Sequence, residues 1–328
     1  MARYIAARVF QAIAVLWAAY TVAFIFLSVL PSDPISIRIN APDSGLTEAD
    51  GVRLREYYGL DKPIILQYFV RLAGIFSGDL GFSLVRGTPV RSMIAAALPP
   101  TVQLSIAGLI VGLVLGGALA VAASYARFPS LKHFLQGIPP LFAAVPTFLL
   151  GIFFIQIFAF NLNLVPAVDD GSFEGLIGPA LTLGIGISPS LAQVLLASLE
   201  QTKGDAFVDV VLAKGAGSGF TFWHHVIRNA ILPWLTLLGL TFGELLAGSI
   251  VIETVFSRDG LGRITEGAVA AQDLPVIQAV VLLISALYVA VNLVIDLLYP
   301  VIDPRIRLGG APIRLKRRAS LTPAKATS

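Results

Sequence analysis

The chain has 328 residues and a composition that a water-soluble domain could not use. Hydrophobic residues make up 56% of it and charged residues 13%, against about 25% charged in an ordinary globular domain, so too few polar groups exist to cover a water-facing surface. The net charge of +3 comes from basic loops and a basic tail, so we infer no nucleic-acid partner. The absence of cysteine excludes disulfides, thiolate metal sites and a cysteine nucleophile.

Six apolar runs are long enough to cross a hydrocarbon core of about 30 Å, which needs roughly 20 residues. They are 9–30, 101–123, 134–160, 176–199, 230–252 and 276–299. The first run follows Arg3 and Arg8 as a signal peptide would, but it is longer than a typical signal-peptide core and no small-residue cleavage site follows it. We therefore predict an all-α polytopic membrane protein with about six transmembrane helices.

The distribution of Lys and Arg predicts the orientation. The connection 161–175 has no basic residue, whereas the connections on either side of it and the C-terminal tail are basic. Both termini are therefore predicted to be cytosolic, in a multi-pass protein of a prokaryotic cell membrane. The segment 31–100 is then outside despite its basic residues, which is tolerable because loops above about 60 residues cross largely regardless of charge.

These assignments divide the chain into four parts. They are a cytosolic segment with the first span (1–30), a long extracytoplasmic segment (31–100), a five-span core (101–307) with a cytosolic loop (200–229), and a basic tail (308–328), which we predict to be disordered. Within the outer segment, Thr47 is a candidate N-cap of a helix over 46–58 that Gly59 stops, a second helix covers 63–76, and a turn covers 79–83. This segment is either a solvated cap or part of a docking face.

The loop 200–229 combines two helical patterns with a glycine-rich break. Apolar residues before Lys214 share one helical face, the glycines Gly215, Gly217 and Gly219 interrupt the pattern, and aromatic residues restart it. Helix, glycine turn and helix predict a rigid protrusion. Pro233 is expected in the first turn of the next span, where its missing N–H costs little.

This loop resembles the EAA loop of ABC-transporter permeases, which docks into a groove on the ATPase subunit. The spacing between AKG (213–215) and RNAILP (228–233) resembles the peptide and nickel branch of that family. Further stretches resemble the first permease subunit of dipeptide and oligopeptide importers: YYGLDKPIILQY (57–68), SGDLGFSLVRGTPV (77–90), VPTFLLGIFF (145–154), LLAGSIVIETVFSRDGLGR (245–263) and VNLVIDLLYPVIDPRIR (291–307). The chain departs from the pattern at Val210 and Val211, where alanines are expected, and at Glu244, where a neutral residue is expected.

The resemblance implies a type I ABC importer permease fold and a non-catalytic subunit that forms half of a translocation path for di- or oligopeptides. The implied partners are a second homologous permease, two ATPase subunits or domains, an extracytoplasmic binding protein and membrane lipids. No cofactor is expected on this chain, because ATP and Mg are used by the ATPases. Nickel, glutathione or another cargo of the same branch are the alternatives.

The resemblance also assigns residues. The ATPase-coupling residues are Asp209, Ala213, Lys214, Gly215, Ala216, Gly217, Arg228, Asn229 and Pro233, and Gly215 is expected to need a positive φ or a close approach to the ATPase. The segment between the last two spans offers Glu253, Phe256, Gly260, Leu261 and Gly262, which either contact the binding protein or pack back onto the bundle. Glu244, well inside a span, lines either the path or a subunit interface.

The residues themselves also favour a transporter over an enzyme. No G-x-x-x-x-G-K-[ST] phosphate loop occurs, so the energy source must be external. All histidines lie in predicted cytosolic loops, so no span pairs a histidine with a nucleophile, and His224 and His225 point about 100° apart on a helix, so no metal site is expected. The competing class is a six-span secondary transporter or channel, but Glu244 and Asp296 are nearly the only carboxylates in the spans.

Overall fold

The computed structural model describes residues 2–29, 34–39, 47–58, 62–169 and 171–302. Within these ranges the regular structure is helical, apart from one isolated antiparallel bridge between Phe82 and Pro89. The all-α prediction is therefore confirmed for the described residues. The predicted tail 308–328 and the predicted helix stop at Gly59 lie outside them.

The helices follow the chain in a simple order. They are α1 Ala2–Val29, α2 Pro34–Ile39, α3 Glu48–Tyr58, α4 Ile64–Ser77, α5 Val90–Tyr125, α6 Pro129–Ala143, α7 Thr147–Phe154 with a π-helical continuation Ile155–Asn161, α8 Phe173–Lys203, α9 Ala206–Ala213, α10 Ser218–Thr221 with a π-helical continuation Phe222–Val226, α11 Ile227–Val255, α12 Leu261–Ala270 and α13 Leu274–Ile302.

Five of these helices, α1, α5, α8, α11 and α13, are long and apolar enough to cross a membrane. A sixth crossing arises only if α6 and α7 form one broken span, and the two are bent by 97°. The apolar run predicted over 134–160 is therefore present as two helices with a sharp bend between them. The break falls at Pro146, which has an extended ψ of 133° and no N–H with which to continue the helix.

The second span also begins earlier than predicted. Helix α5 starts at Val90, within the predicted outer segment, and it continues through Pro99 and Pro100. Polar groups around the two prolines find partners: Thr101 Oγ1 donates to the Ala97 carbonyl (3.2 Å) and Arg258 Nε to the Pro100 carbonyl (3.4 Å). The carbonyls that lose their usual N–H donors are those of Ala95 and Ala96, four residues before each proline.

The outer segment contains the predicted helices and is fastened to the bundle. Helix α3 begins with a reciprocal cap, in which Thr47 N donates to Asp50 Oδ2 (3.0 Å) and Asp50 N donates to Thr47 Oγ1 (3.3 Å). The turn after α4 is held by Asp273, the residue before α13. The buried Asp273 carboxylate accepts from the Ser83 hydroxyl and from Leu84 N (3.1 Å).

The centre of the bundle is a close contact between α5 and α8. A Cβ added at Gly112 would lie 2.5 Å from the Ile187 side chain, and one added at Gly116 would lie 2.9 Å from the Ser188 carbonyl oxygen. Small residues at this interface let two helix backbones approach each other, which is how helices associate where lipid supplies no hydrophobic drive. Leu104, Leu183 and Leu191 are buried along the contact.

We predict that Gly116→Ala lowers the melting temperature of the purified protein, whereas the neighbouring Gly117→Ala does not. The added methyl at Gly116 meets backbone atoms that cannot rotate away, and such overpacking costs about 1–3 kcal/mol. At Gly117 the nearest atom, in the Trp234 ring, would lie at an ordinary 3.8 Å. Thermal denaturation of both variants in detergent is the measurement, and equal melting temperatures would contradict the account.

Candidate functional site

The predicted protrusion is present as a compact unit that joins α8 to α11. It consists of α9, a turn over 214–217, α10 and the π-helical turn Phe222–Val226. We use the term protrusion for residues 205–226. One side of it packs on the bundle, and the other side is open.

Gly215 has a positive φ of 86°, which is the first of the two alternatives expected for it. Its N–H donates to the Leu212 carbonyl (2.9 Å), and the Ala216 N–H donates to the Val211 carbonyl (3.3 Å). These bonds close the end of α9 with a left-handed residue, a conformation that glycine adopts without steric cost. Nothing lies within 4 Å of a Cβ added at Gly215, so the requirement for glycine comes from the backbone alone.

The two faces of the protrusion differ in polarity and burial. On the inner face Val208, Phe222 and Val226 are buried against Leu195, Leu199 and neighbouring small residues of the spans. On the outer face several large apolar side chains are exposed, namely Phe207, Val210, Leu212, Phe220 and Trp223, the last with 67% of its surface accessible. An apolar patch of this kind on an otherwise polar loop is typical of a surface that binds another protein.

Most of the predicted coupling residues are exposed, within the protrusion or in the first turns of α11 that follow it. Asp209, Ala213, Lys214, Gly217, Arg228, Asn229 and Pro233 are exposed, and Ala216 is half-buried. The prediction that Pro233 begins a span is wrong. Helix α11 starts at Ile227, directly after the π-helical turn, so Pro233 lies inside the helix, where it leaves the Asn229 carbonyl without its usual donor.

A charged cluster fixes the root of the protrusion, and we call Ser124, Lys132, Glu200 and Lys203 the Glu200 cluster. Glu200 Oε1 accepts from Ser124 Oγ (2.7 Å) and Lys203 Nζ (3.1 Å), while Glu200 Oε2 accepts from Lys132 Nζ (2.9 Å). Lys203 Nζ also donates to the Ser124 carbonyl (2.6 Å). One carboxylate therefore ties together the ends of α5 and α8 and the start of α6.

An aromatic contact extends the Glu200 cluster into the protrusion itself. The Lys203 ammonium lies 4.5 Å from the centre of the Tyr125 ring, and this ring packs edge-on against Phe222, with 5.1 Å between the ring centres. Phe222 belongs to the buried inner face. The inner face of the protrusion is therefore connected to α5, α6 and α8 through side chains in contact.

At the opposite end of the bundle, the segment from Glu253 to Gly262 is packed inward. Glu253, Phe256 and Leu261 are each at most 2% exposed, which corresponds to the packing alternative. Gly262 N donates to Glu253 Oε2 (2.6 Å), and a Cβ at Gly260 would lie 2.3 Å from the Glu253 carboxyl carbon. Both glycines are explained by this close approach. A contact of these residues with a binding protein stays a prediction.

Sequence reasoning missed the residue that organises this end. Arg258 is 3% exposed and forms an ion pair with Asp169, a residue of the connection after α7. Arg258 Nη2 also donates to Gln103 Oε1 (2.9 Å). In the sequence Arg258 stands between Ser257 and Asp259 in a polar connection, so no local pattern distinguishes it from a solvated loop residue. Removing one partner of such a buried ion pair typically lowers the free energy of unfolding by about 3–5 kcal/mol. This ion pair therefore stabilises the contacts at this end of the bundle.

Glu244 lies on α11 and is exposed on the surface of the isolated chain. The adjacent Gly243 approaches Tyr288 of α13, where an added Cβ would lie 2.7 Å from the ring. This face of α11 therefore packs on α13 while the Glu244 carboxyl points away. Both alternatives for Glu244, the path and a subunit interface, remain predictions.

Residues 108–308 match the family described as binding-protein-dependent transport system inner membrane component, and residues 1–105 match the N-terminal part of such membrane components. The glutathione transport system permease protein GsiC of Escherichia coli K12 is 34% identical over 308 residues, which cover 94% of this chain and 99% of GsiC. GsiC of Salmonella choleraesuis is also 34% identical, over 310 residues.

The fold has a solved counterpart. An inward-facing structure of the methionine ABC transporter MetNI contains a chain that superposes with a TM-score of 0.56 at 16% identity, covering 64% of this chain and 96% of that one. At this identity the likeness shows the fold alone, which is that of a type I ABC importer permease. Together with the family matches over nearly the whole length, it establishes that the chain belongs to the binding-protein-dependent transport system inner membrane components, the permease subunits of ABC importers.

Proposed function

We propose that this chain forms half of the translocation path of a peptide importer and that the protrusion is its docking surface for an ATPase subunit. The observation that carries the proposal is the two-faced protrusion, which is exposed and apolar outward and buried against the spans inward. A surface that only needed to be soluble would not expose Phe220 and Trp223. A docking helix that transmits force needs an exposed face that binds the partner and a buried face that contacts the spans.

The proposed mechanism is alternating access without chemistry on the cargo. ATP and Mg act on the partner ATPases, and this chain binds neither. Closure of the ATPases moves the protrusion, and the Glu200 cluster and the contact between Tyr125 and Phe222 pass the movement to the spans. Because the states of the nucleotide bind the protrusion differently, they shift the equilibrium between inward-open and outward-open bundles.

The proposed orientation puts the protrusion and both termini in the cytosol. Lys132, Lys203, Lys214 and Arg228 lie near the protrusion, and the excess of basic residues at that end supports a cytosolic position. The opposite end, with Arg258 and α12, then receives cargo from an extracytoplasmic binding protein. A second, homologous permease completes the path, and each permease engages one of two ATPase subunits or domains.

The proposed cargo is a di- or oligopeptide. The support is that GsiC, at 34% identity over nearly the whole length, is by name a glutathione transport permease, and glutathione is a tripeptide. Glutathione itself is the alternative within this class, and nickel is the alternative outside it. The test is copurification of this chain with a second permease and the ATPases, followed by ATP hydrolysis with the binding protein loaded with peptide, glutathione or nickel. Stimulation by nickel alone would overturn the peptide assignment.

We predict that Gly215→Val reduces both ATPase copurification and peptide uptake while the chain still inserts into the membrane. A β-branched residue at a φ of 86° stores roughly 1–3 kcal/mol of local strain and distorts the turn. The matched control is Gly137→Val in α6, where φ is helical and nothing lies within 4 Å. Normal copurification and uptake by the Gly215 variant would contradict the docking assignment.

We predict that Glu200→Gln uncouples ATP hydrolysis from uptake. A neutral amide cannot hold two ammonium groups, so the protrusion loosens while its outer face, and hence ATPase binding, is unchanged. Because the Glu200 side chain is 37% exposed, the loss is modest, about fivefold in peptides moved per ATP, equivalent to about 1 kcal/mol.

The control for Glu200→Gln is Asp259→Asn, which breaks an exposed ion pair with Arg263 at the other end of the bundle. This variant should keep the wild-type ratio of peptides to ATP. An unchanged ratio in the Glu200 variant, or the same fall in both variants, would show that the Glu200 cluster does not transmit motion.

We predict that Glu244→Gln lowers uptake of cationic peptides relative to neutral ones without lowering the yield of assembled complex. The reason is that a carboxylate at membrane depth costs roughly 2.5–3.5 kcal/mol, so it should face a water-filled path or a partner rather than lipid. The measurement is competition between charged and neutral peptides together with copurification of the second permease. A lower yield with unchanged selectivity would instead assign Glu244 to the subunit interface.

A further inference from the structure

A cavity of about 120 Å³ lies beneath α4, where α4 and the turn that follows it face the first turns of α13. Its walls are mostly apolar, with Val70, Ile75 and Leu282 among them. Four polar side chains also line it, those of Tyr57, Arg71, Asp79 and Gln278. None of these groups has a place in the coupling or gating contacts described above.

The buried Gln278 side chain indicates that the cavity holds a ligand. Its side chain is 8% exposed, it lines the cavity, and its Nε2 has no hydrogen-bond partner among the residues that the structure describes. A buried amide left without a partner costs free energy comparable to a lost hydrogen bond. The amide nitrogen can only donate, so the missing partner is a hydrogen-bond acceptor.

The charged side chains around the cavity indicate which kind of hydrogen-bond acceptor it binds. Arg71 brings a cation to the wall, with its guanidinium 5.9 Å from the centre of the Phe24 ring, and it suits an anionic oxygen such as a phosphate. Asp79 brings an anion and accepts from Tyr57 Oη (3.1 Å). Partial burial and this carboxylate raise the pKa of the Tyr57 phenol, so it stays a donor. A wall with both signs of charge suits a zwitterion better than a simple anion.

The position of α4 indicates where such a zwitterion comes from. Tyr20 Oη of α1 donates to the Tyr68 carbonyl of α4 (2.8 Å), and Tyr20 lies six residues, or about 9 Å, inside the end of the apolar stretch Ile5–Phe26. Helix α4 therefore lies at the depth of the lipid rather than above it. Its outward side chains are apolar and open, with Ile65 at 75% and Phe76 at 86% exposure.

The cavity is also far from the centre of the bundle. Helix α1, on which α4 packs, is the least buried of the five unbroken candidate spans, with 17% of its apolar window buried against 56% for α8. A site in this outer layer is reached from the bilayer more directly than from a path between two permeases. On α1, too, large apolar side chains are exposed, among them Trp17 and Phe26.

We propose that this cavity binds the head group of an outer-leaflet phospholipid that carries an amine. The phosphate accepts from Gln278 Nε2 beside Arg71, the ammonium faces Asp79, and the acyl chains lie along α4. The inference rests on the orientation given under the proposed function, which makes this leaflet the outer one. The bound lipid holds α4 against α13 at the edge of the permease.

The test uses the assembled importer, purified from native membranes and washed with detergent, with retained phospholipid identified and counted by mass spectrometry. Wild type should retain phosphatidylethanolamine at one molecule per copy of this chain. Gln278→Glu removes the donor and adds repulsion, and Gln278→Leu removes the donor alone. Each variant should lose about tenfold in retention, the effect expected from one hydrogen bond to a charged group. Gln156→Leu makes the same change at an exposed position and should retain lipid as wild type does.

A second measurement covers the case in which the Gln278 variants fail to assemble. A phosphatidylethanolamine with a photoreactive head group, in nanodiscs around the wild-type importer, should crosslink to α4 or to the first turns of α13. Crosslinking elsewhere, equal retention of phosphatidylglycerol, or no retained lipid would each overturn the proposal. Those results would leave the importer function intact, because assembly and uptake are measured separately. Failure of the wild-type chain to copurify with an ATPase would instead contradict the proposed function.

Discussion

The close contact between α5 and α8 is the interaction on which the rest of the structure depends. Glycines along α5 bring the two backbones together, so the pair behaves as one rigid element through the thickness of the bundle. Both ends of this pair carry buried or half-buried polar contacts. Glu200 joins α8 to Ser124 of α5 at one end, and Arg258 joins the α5 prolines to Asp169 at the other. A force applied at one end of the helix pair is therefore transmitted to the other end.

This arrangement explains how a subunit without its own energy source can work as part of a pump. The protrusion offers an apolar outer face to a partner and an inner face fused to the spans. The outer segment, in contrast, is attached through hydrogen bonds to Asp273 and through aromatic packing on α1. The family matches exclude the secondary transporter or channel that composition alone left open. In our account the ATPases move the protrusion, and the opposite end of the bundle moves in response.

Local patterns in the sequence predicted local structure well. Apolar run lengths predicted the spans, the pairing of Thr47 with Asp50 predicted a helix cap, and the glycine after Lys214 predicted a positive φ. Proline positions were misleading, because Pro99, Pro100 and Pro233 lie inside helices, whereas Pro146 separates α6 from α7. Whether a helix tolerates proline depends on tertiary partners for the freed groups.

Contacts between residues distant in the chain were the part that sequence reasoning could not supply. Asp169 and Arg258 are 89 residues apart, and Lys132 and Glu200 are 68 apart. No local periodicity relates such residues, and their pairing depends on how the helices are arranged. The surroundings of the buried Gln278 amide also come from residues distant in the chain. In the sequence it is a polar residue in an apolar run, and only the fold shows that a cavity faces it.

The central claim is that the protrusion is where an ATPase subunit binds and drives transport. Because the chain has no cysteine, a single Phe220→Cys substitution on the exposed face provides the one thiol of this chain for crosslinking in the assembled importer. Our account predicts a crosslink to the ATPase subunit whose yield changes with ATP and whose formation stops uptake, with Phe134→Cys on α6 as an exposed control that gives none. A crosslink that forms only with other proteins, or one that leaves uptake untouched, would contradict it.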